Sequence, residues 1–240
     1  MNHRNVRGKI LYISHDGGEP REYGREWFTY TFHEDGQLTV RSRCEIEPGP
    51  VEDRSVIRDV TYTVDRDFKP VDGYVRLQQN GKYLGSGWFR VTDELAECES
   101  FNVTDGRVRQ RFELDRPVPS IGAHALTCDV LHLARFDHSK SARIQPAYGA
   151  MLTSLEHDGC SGPMLAPIRF EIEYLGRDEI SVPAGAFEAD HYQFLLGGTL
   201  PKEHPTEELW CVPEEFIFVK IAVGGYMNST FELAELERDL

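Results

Sequence analysis

The sequence contains none of the motifs that mark nucleotide-, serine- or zinc-dependent enzymes. No GxGxxG lies between a strand pattern and a helix pattern, and GxxxxGK[ST], GxSxG and HExxH are absent. These absences give no support for a nucleotide cofactor, a serine hydrolase or a zincin. We therefore expect the protein to work without a cofactor.

Long apolar runs and paired cysteines are also missing. No stretch approaches the roughly 18 apolar residues of a membrane helix, and the opening MNHRNVRGKI has no apolar core of a secretory signal. The five cysteines (Cys44, Cys98, Cys128, Cys160, Cys211) are odd in number and include no CxxC pair. Scattered single cysteines are typical of reduced thiols, so we expect a cytoplasmic protein that does not insert into a membrane.

Basic residues are few. The chain has 26 Lys and Arg against 40 Asp and Glu, a net charge of -14. Such a chain is a poor partner for nucleic acid, and we predict that it binds none. With 240 residues, 40% of them hydrophobic, it can bury a sizeable core, and we predict a single domain over residues 1–240. A homodimer is left open.

Turn signals recur about every ten residues through the first half of the chain. They separate strand-like runs at 26–33, 37–47, 55–64 and 72–91, followed by two more runs around Asp105-Gly106. Residues 121–135 have a helical composition after Pro117 and Pro119, and 137–165 is irregular. Strand patterns resume from residue 166. The pattern predicts a mainly β protein with about ten strands. We expect a strongly curved antiparallel sheet, half-barrel to barrel, with one helix packed on its concave side.

The stretch DGYVRLQQNGKYLGSGWFRV predicts a hairpin with Asn80-Gly81 as a two-residue turn. Regular pairing would place Arg76 opposite Gly85 and Tyr74 opposite Gly87. One face then carries two glycines among larger side chains, and such a floor is typical of a ligand pocket. We predict Arg76, Tyr74 and Tyr83 as catalytic residues and Gln78 and Phe89 as substrate-binding residues. The alternative is a solvated outer face.

Other strands and the predicted helix supply further candidates. His191, between aromatic neighbours in FEADHYQF, is predicted as a general base, and Arg41 and Arg43 as substrate-binding residues in the same concavity. His124 and His132 on the helix are predicted to bind substrate. With Cys128 they form an i, i+4, i+8 row, but three ligands along one straight helix cannot easily close on one ion, so we predict no metal. A metal-dependent enzyme that uses His124 and His132 is the weaker alternative. The pair of Asp129 and His132 is a further candidate for acid–base chemistry. We expect, however, that the two residues form a pair on the protein surface.

The C-terminal half carries a family likeness. YLGRDEISVPAGAFEADHYQF, ELWCVPEEFIFVKIAV and STFELAEL together resemble an uncharacterised bacterial family of mostly β proteins, related in architecture to lipoprotein-carrier half-barrels. The resemblance implies a curved sheet around a helix and an apolar cavity. It also implies a turn at Pro183, Ala184 and Gly185, and Trp210 as a plug of the barrel. It implies no catalytic residue.

These observations favour a cofactor-independent enzyme, a lyase or isomerase, acting on a small hydrophobic or aromatic molecule in the concave face. Such chemistry needs a dry pocket, a proton-transferring group and a polar group that stabilises negative charge. The alternative is a carrier or binding protein for a lipid or hydrophobic metabolite.

Overall fold

The computed structural model describes residues 3–48, 53–196, 205–225 and 228–239. Within them the chain forms seventeen strands and one short helical segment. The strands before the helical segment are β1 (Arg4–Ser14), β2 (Arg21–Phe32), β3 (Leu38–Ile46), β4 (Val56–Val64), β5 (Pro70–Gln79), β6 (Lys82–Val91), β7 (Leu95–Asn102), β8 (Gly106–Glu113) and β9 (Ile121–Gly122). Those after it are β10 (Ile144–Pro146), β11 (Ala150–Leu152), β12 (Ala166–Ile168), β13 (Glu171–Val182), β14 (Gly185–Leu195), β15 (Glu207–Val212), β16 (Ile217–Val223) and β17 (Ser229–Arg238).

Fourteen of these strands form one sheet in the order β10-β13-β14-β15-β16-β17-β1-β2-β3-β4-β5-β6-β7-β8. Strand β17 pairs with β1, which joins the C-terminal and N-terminal parts of the chain edge to edge. The sheet is not closed, because β10 and β8 are its two ends. A small second sheet has the order β12-β11-β9.

The strands alternate buried and less buried residues, as strands with one face on a core do. In β4, Val56, Val60, Tyr62 and Val64 point inward and are nearly inaccessible. Inward residues from both ends of the sheet, from β1 to β7 and from β13 to β17, belong to one hydrophobic core. The mainly β prediction is therefore confirmed, although the number of strands exceeds ten.

The predicted helix over 121–135 is too long. Helix α1 spans Leu126–Asp129 and continues as a 3-10 helix over Val130–Arg135. Ile121 and Gly122 instead form β9, which pairs in parallel with β11. His124 has a left-handed backbone with φ of 56°, and this conformation separates the strand from the helix. No helix among the described residues has the length and apolar character needed to cross a bilayer.

The helical segment packs against the inward face of the large sheet. The Tyr30 hydroxyl of β2 donates to the Thr127 carbonyl at 2.8 Å, and the Glu26 carboxyl of β2 accepts the Leu126 N–H at 2.9 Å. Cys128 and Leu131 are fully buried in this contact layer. Residues 153–165, between β11 and β12, form a loop that Arg58 of β4 contacts from the inward face of the sheet.

The β5–β6 hairpin has the predicted turn but a different register. Asn80 and Gly81 both have positive φ, of 51° and 72°, as a type I′ turn requires. A bulge between Leu77 and Gln78 then shifts the pairing by one residue, so that Arg76 faces Ser86 and Tyr74 faces Trp88. The predicted pairs of Arg76 with Gly85 and Tyr74 with Gly87 are wrong, because one extra residue in a strand displaces every later pair.

The glycines of this hairpin therefore lie on the inward face, with Val75, Leu77 and Phe89. A Cβ on Gly85 would lie 2.5 Å from the carbonyl oxygen of Gly162. Gly85 makes room for the 153–165 loop, whose backbone comes too close to the sheet for any larger residue.

Candidate functional site

A cavity of about 180 Å³ lies between the inward face of the large sheet, the helical segment and the 153–165 loop. Its wall is mostly apolar, and five aromatic rings contribute to it. The apolar and aromatic residues of the wall are Tyr12, Tyr23, Ile46, Val56, Leu126, Leu152, Leu155, Ile168, Phe170, Phe194, Leu196, Ile221 and Phe231. The ionisable residues of the wall are Glu47, Arg54, Arg58, His124, Asp129, His132, Glu156, His157, Asp158 and Glu207.

His132 is held rigidly in this wall. Its ring packs edge-on against Phe170 and Phe194, with centroids 5.1 and 6.0 Å away. Its Nδ1 lies 2.5 Å from the Ser120 hydroxyl oxygen, and both residues are buried. Because Nδ1 is engaged by Ser120, Nε2 is the nitrogen available for a ligand. Burial, assisted by His124, lowers the pKa of His132 to about 3, so the imidazole is neutral at physiological pH.

Asp129 lies three residues earlier, at the end of α1. Its Oδ1 accepts the His124 N–H at 3.2 Å, and among the described residues Oδ2 makes no hydrogen bond. Burial raises the pKa of this carboxyl to about 8, and the nearby carboxyls of Glu207 and Glu26 act in the same direction, whereas Arg58 opposes them. The expected surface pair of Asp129 and His132 is wrong, because both residues are part of the cavity wall.

Gly122 brings these two side chains together. A Cβ at Gly122 would lie 2.8 Å from His132 Nε2 and 3.0 Å from Asp129 Oδ1, so the two atoms are no more than about 6 Å apart. Because glycine has no side chain, the Asp129 carboxyl and the His132 imidazole can both approach β9 at this position. The carboxyl and the imidazole can therefore act on one small ligand.

Arg58 links the wall to the 153–165 loop. It points inward from β4 and is 2% exposed, and its guanidinium donates to the carbonyls of His124 and Asp158. Arg54 forms an ion pair with the Asp158 carboxylate at 2.7 Å. Two arginines thus hold the loop that covers one side of the cavity, and the Nε of Arg58 is buried without a hydrogen-bond partner among the described residues.

The three predicted catalytic residues of the hairpin lie outside this cavity. Tyr74 is 42% exposed on the outer face of β5. The guanidinium of Arg76 lies 5.1 Å from the Tyr83 ring centroid, and the Tyr83 hydroxyl is within 2.9 Å of Ser86. Their predicted place in the concavity is wrong, because the bulge puts Val75 and Leu77 of β5 on the inward face with the glycines and leaves Tyr74 and Arg76 on the outer face.

The two predicted substrate-binding residues of the hairpin also lie away from the cavity. Phe89 is buried in the core against Tyr62, with ring centroids 5.8 Å apart. Gln78 sits beside the turn, paired with Tyr83 and partly exposed. Neither residue contributes to the wall.

The predicted general base His191 is on the outer face of β14. Its ring stacks on Trp210 at 4.0 Å, and its nitrogens lie 2.9 Å from Asp178 and 3.0 Å from Glu208. Placing His191 in the concavity is wrong, because its neighbours Asp190 and Tyr192 take the inward positions. Trp210 consequently does not plug the barrel.

Arg41 and Arg43 are likewise on the outside. Arg43 forms ion pairs with Glu45 and Asp59, and Arg41 reaches the Thr31 hydroxyl. Their predicted place in the concavity is wrong, since Ser42 and Cys44 occupy the inward positions of β3.

The structure places the predicted substrate-binding residues His124 and His132 on the cavity wall, together with the acid–base candidate Asp129. The ring of His124 lies 2.9 Å from the Ser154 carbonyl, so it also holds the 153–165 loop. Their substrate-binding role stays a prediction. Cys128, the third member of the proposed row, is buried in the core. Within the described ranges, no three His, Cys, Asp or Glu residues are grouped to hold a metal ion.

Arg58 is the wall residue that sequence reasoning missed. The alternation of VIRDVTYTV places it on the same face as Val60 and Tyr62, and a charged residue on an otherwise apolar face is a signal that the sequence contains. The contribution of the 153–165 loop has no comparable signal, because its contacts are long-range.

The fold and this site define a mainly β, barrel-like protein with an internal cavity. No family model and no curated protein matches the chain. Among solved structures, it is similar to a beta-barrel-like protein of the domain of unknown function DUF1849 from Brucella abortus. The TM-score is 0.58 and the identity 9%, over 99% of this chain and 98% of the other.

A second similar structure is a DUF1089 family protein from Pseudomonas aeruginosa. It has a TM-score of 0.45 and 11% identity, over 86% of this chain and 91% of that one. The first of these structures supports a barrel-like, mostly β fold for this chain. The comparisons give no link to lipoprotein carriers.

Proposed function

We propose that this protein is a cofactor-independent enzyme, an isomerase or lyase, that acts on a small, mainly apolar molecule bound in the cavity. The observation that carries the proposal is the composition of one wall. Apolar and aromatic side chains share this wall with the carboxyl of Asp129, the neutral imidazole of His132 and further ionisable groups. An apolar site with a few convergent polar groups is typical of small-molecule binding.

The size of the cavity limits the ligand. A cavity of about 150 Å³ is enough to bind benzene. The space of about 180 Å³ found here therefore suits a molecule of one or two rings, or a short aliphatic chain. The rings of Phe170, Phe194 and Phe231 offer faces and edges for an aromatic body.

Ligand binding can be tested by filling the cavity. We expect small aromatic molecules to raise the melting temperature of the wild-type protein, because any ligand that binds the native state stabilises it. Leu155→Trp places an indole in the wall and should abolish this shift. Val103→Trp, at an exposed position outside the wall, is the matched control and should leave it intact. No shift with any ligand, or an equal shift in both variants, would contradict binding in this cavity.

A carrier for a lipid or hydrophobic metabolite is the second candidate. The predominance of apolar wall residues favours it. Native mass spectrometry of the purified protein separates the two functions. A heterogeneous set of co-purified lipids supports the carrier, whereas a single small ligand or an empty cavity supports the enzyme.

A further inference from the structure

We propose that Asp129 and His132 catalyse enolisation of a ketone or aldehyde bound in the cavity. Asp129 removes a proton from the carbon next to the carbonyl, while the Nε2–H of His132 donates to the carbonyl oxygen. This inference rests on the proposed function and names the substrate class, an enolisable carbonyl compound with an apolar body. It also names the two groups that act on it.

The geometry of the pair carries the proposal. Oδ1 of Asp129 and Nε2 of His132 lie no more than about 6 Å apart, because both lie beside the space that a Cβ of Gly122 would fill. Oδ2, the oxygen left for the substrate, belongs to the same carboxyl group as Oδ1. A carbonyl oxygen and its neighbouring carbon fit such a span when each lies about 3 Å from its partner, which is hydrogen-bond reach. Both groups are on the cavity wall, so one ligand can contact both.

The hydrogen bonds of His132 and Asp129 assign the donor role to His132 and the base role to Asp129. Ser120 fixes Nδ1 of His132 at 2.5 Å, and when its hydroxyl donates, the remaining ring proton is on Nε2. A neutral imidazole is then a hydrogen-bond donor to oxygen and not an acid. Asp129 keeps Oδ1 bonded to the His124 N–H, which fixes the carboxyl, and Oδ2 is left for the substrate.

The charges that face Asp129 suit a base. Burial is the main cause that makes its carboxylate harder to form, and Glu207 from β15 and Glu26 from β2 add to it, whereas Arg58 from β4 and the His124 backbone N–H oppose it. The resulting pKa of about 8 makes the carboxylate a far stronger base than one in water and leaves part of it ionised near neutral pH. His132, on the adjoining turn, stays neutral throughout this range.

The step balances without a further reactant. The C–H proton passes to Asp129, the C–H electron pair forms the C=C bond, and the carbonyl π pair moves to oxygen, where Nε2–H stabilises the enolate. Return of the proton to the same carbon gives exchange. In a β,γ-unsaturated ketone, return of the proton to the γ carbon gives the conjugated isomer.

The experiment uses 2-tetralone and cyclohex-3-en-1-one with the full chain in deuterated buffer. Proton NMR follows loss of the signals next to the carbonyl, and absorbance follows conversion of the second ketone to its conjugated isomer. Binding of each ketone is measured separately by saturation-transfer NMR. We expect exchange well above the buffer rate, with a rate that rises with pH up to about 8 as Asp129 ionises.

Three variants define the outcome. Asp129→Asn keeps the acceptor for the His124 N–H and should lower the exchange rate at least about 100-fold while leaving binding intact. His132→Asn retains a polar group near Ser120 but lacks Nε2, and should also lower it about 100-fold. Asp105→Asn, at an exposed turn outside the cavity wall, is the control and should exchange at the wild-type rate.

Different results would contradict the enolisation inference and the proposed binding of a ligand in the cavity. Binding of the ketones without exchange would overturn the enolisation inference and leave the cavity as a ligand site. Exchange that survives in Asp129→Asn would overturn the role of Asp129. If neither ketone binds, the cavity does not accept the proposed substrate class and the enolisation inference is wrong. The thermal-shift result with Leu155→Trp then decides separately whether the cavity binds other molecules.

Discussion

The Oε2 atom of Glu26 accepts the backbone N–H of Leu126 at 2.9 Å, and so joins the large sheet to the first residue of helix α1. Glu26 is fully buried and also accepts the Tyr12 hydroxyl at 2.9 Å and the Thr127 N–H and hydroxyl. One carboxyl group thus satisfies the donors at the start of the helical segment that carries Asp129 and His132.

We expect Glu26→Ala to lower the free energy of unfolding by about 3 kcal/mol or more. The variant leaves several buried donors without an acceptor, and each unsatisfied buried group costs about 1–3 kcal/mol. Glu26→Gln keeps one carbonyl oxygen and should lose less. Urea denaturation measures both, with Glu113→Ala at an exposed edge position as the control. A loss for Glu26→Ala no larger than that of the control would contradict this anchoring role.

The close approach of the 153–165 loop to the sheet predicts a cost for any side chain at Gly85. A Cβ there would meet the Gly162 carbonyl oxygen at 2.5 Å and Asn102 Cβ at 2.9 Å, and a backbone oxygen cannot rotate away. We expect Gly85→Ala to destabilise the protein by about 1–3 kcal/mol. Gly224→Ala, where a Cβ meets nothing within 4 Å, is the matched control in the same denaturation assay. Equal stabilities for the two variants would mean that the loop does not rest on Gly85.

Local features of the fold were predictable from the sequence because short-range chemistry determines them. The Asn80-Gly81 turn needs only positive φ at two positions. The turn at Pro183 and Ala184, between β13 and β14, lies where the family resemblance implies one. The bulge at Leu77 and Gln78 has no such signature. The one extra residue of the bulge places Val75 and Leu77, instead of Tyr74 and Arg76, on the same face as Gly85 and Gly87.

The candidate site was harder to predict because distant segments form it. His124 and His132 were recognised as ligand candidates from residue type alone. Residue type and spacing favour a surface pair of Asp129 and His132, but they do not show which distant strands pack against the helical segment. The charges that act on the half-buried Asp129 come from β2, β4 and β15, which lie far away in the chain.

The neutral, buried state of His132 predicts acid sensitivity. Its folded pKa of about 3 lies below the ordinary value near 6.5, so the unfolded chain binds the proton first as the pH falls. Stability should therefore fall with decreasing pH between about 6.5 and 3, by up to about 1.4 kcal/mol per pH unit from this group. Urea denaturation of wild type and His132→Asn over this range checks it. If both lose stability equally, His132 is not the group responsible.

Asp129 predicts the opposite dependence at higher pH. Its folded pKa of about 8 lies above the ordinary carboxyl value, so the folded state holds a proton that the unfolded chain has already released. Stability due to this group is present at low pH and is lost as the pH rises from about 4 to 8. Asp129→Asn cannot ionise and removes this loss.

We therefore expect Asp129→Asn to gain stability relative to wild type as the pH is raised, by more than about 1 kcal/mol between pH 5 and pH 8. Denaturation at the two pH values gives the difference directly, and Asp105→Asn should show no such gain. The same variant is expected to lower the exchange rate at least about 100-fold. A gain in stability together with this loss of exchange would show that the Asp129 carboxyl serves the reaction while it lowers the free energy of unfolding. A constant stability difference at both pH values would show that the carboxyl is already ionised at pH 5, and would remove the raised pKa from the argument.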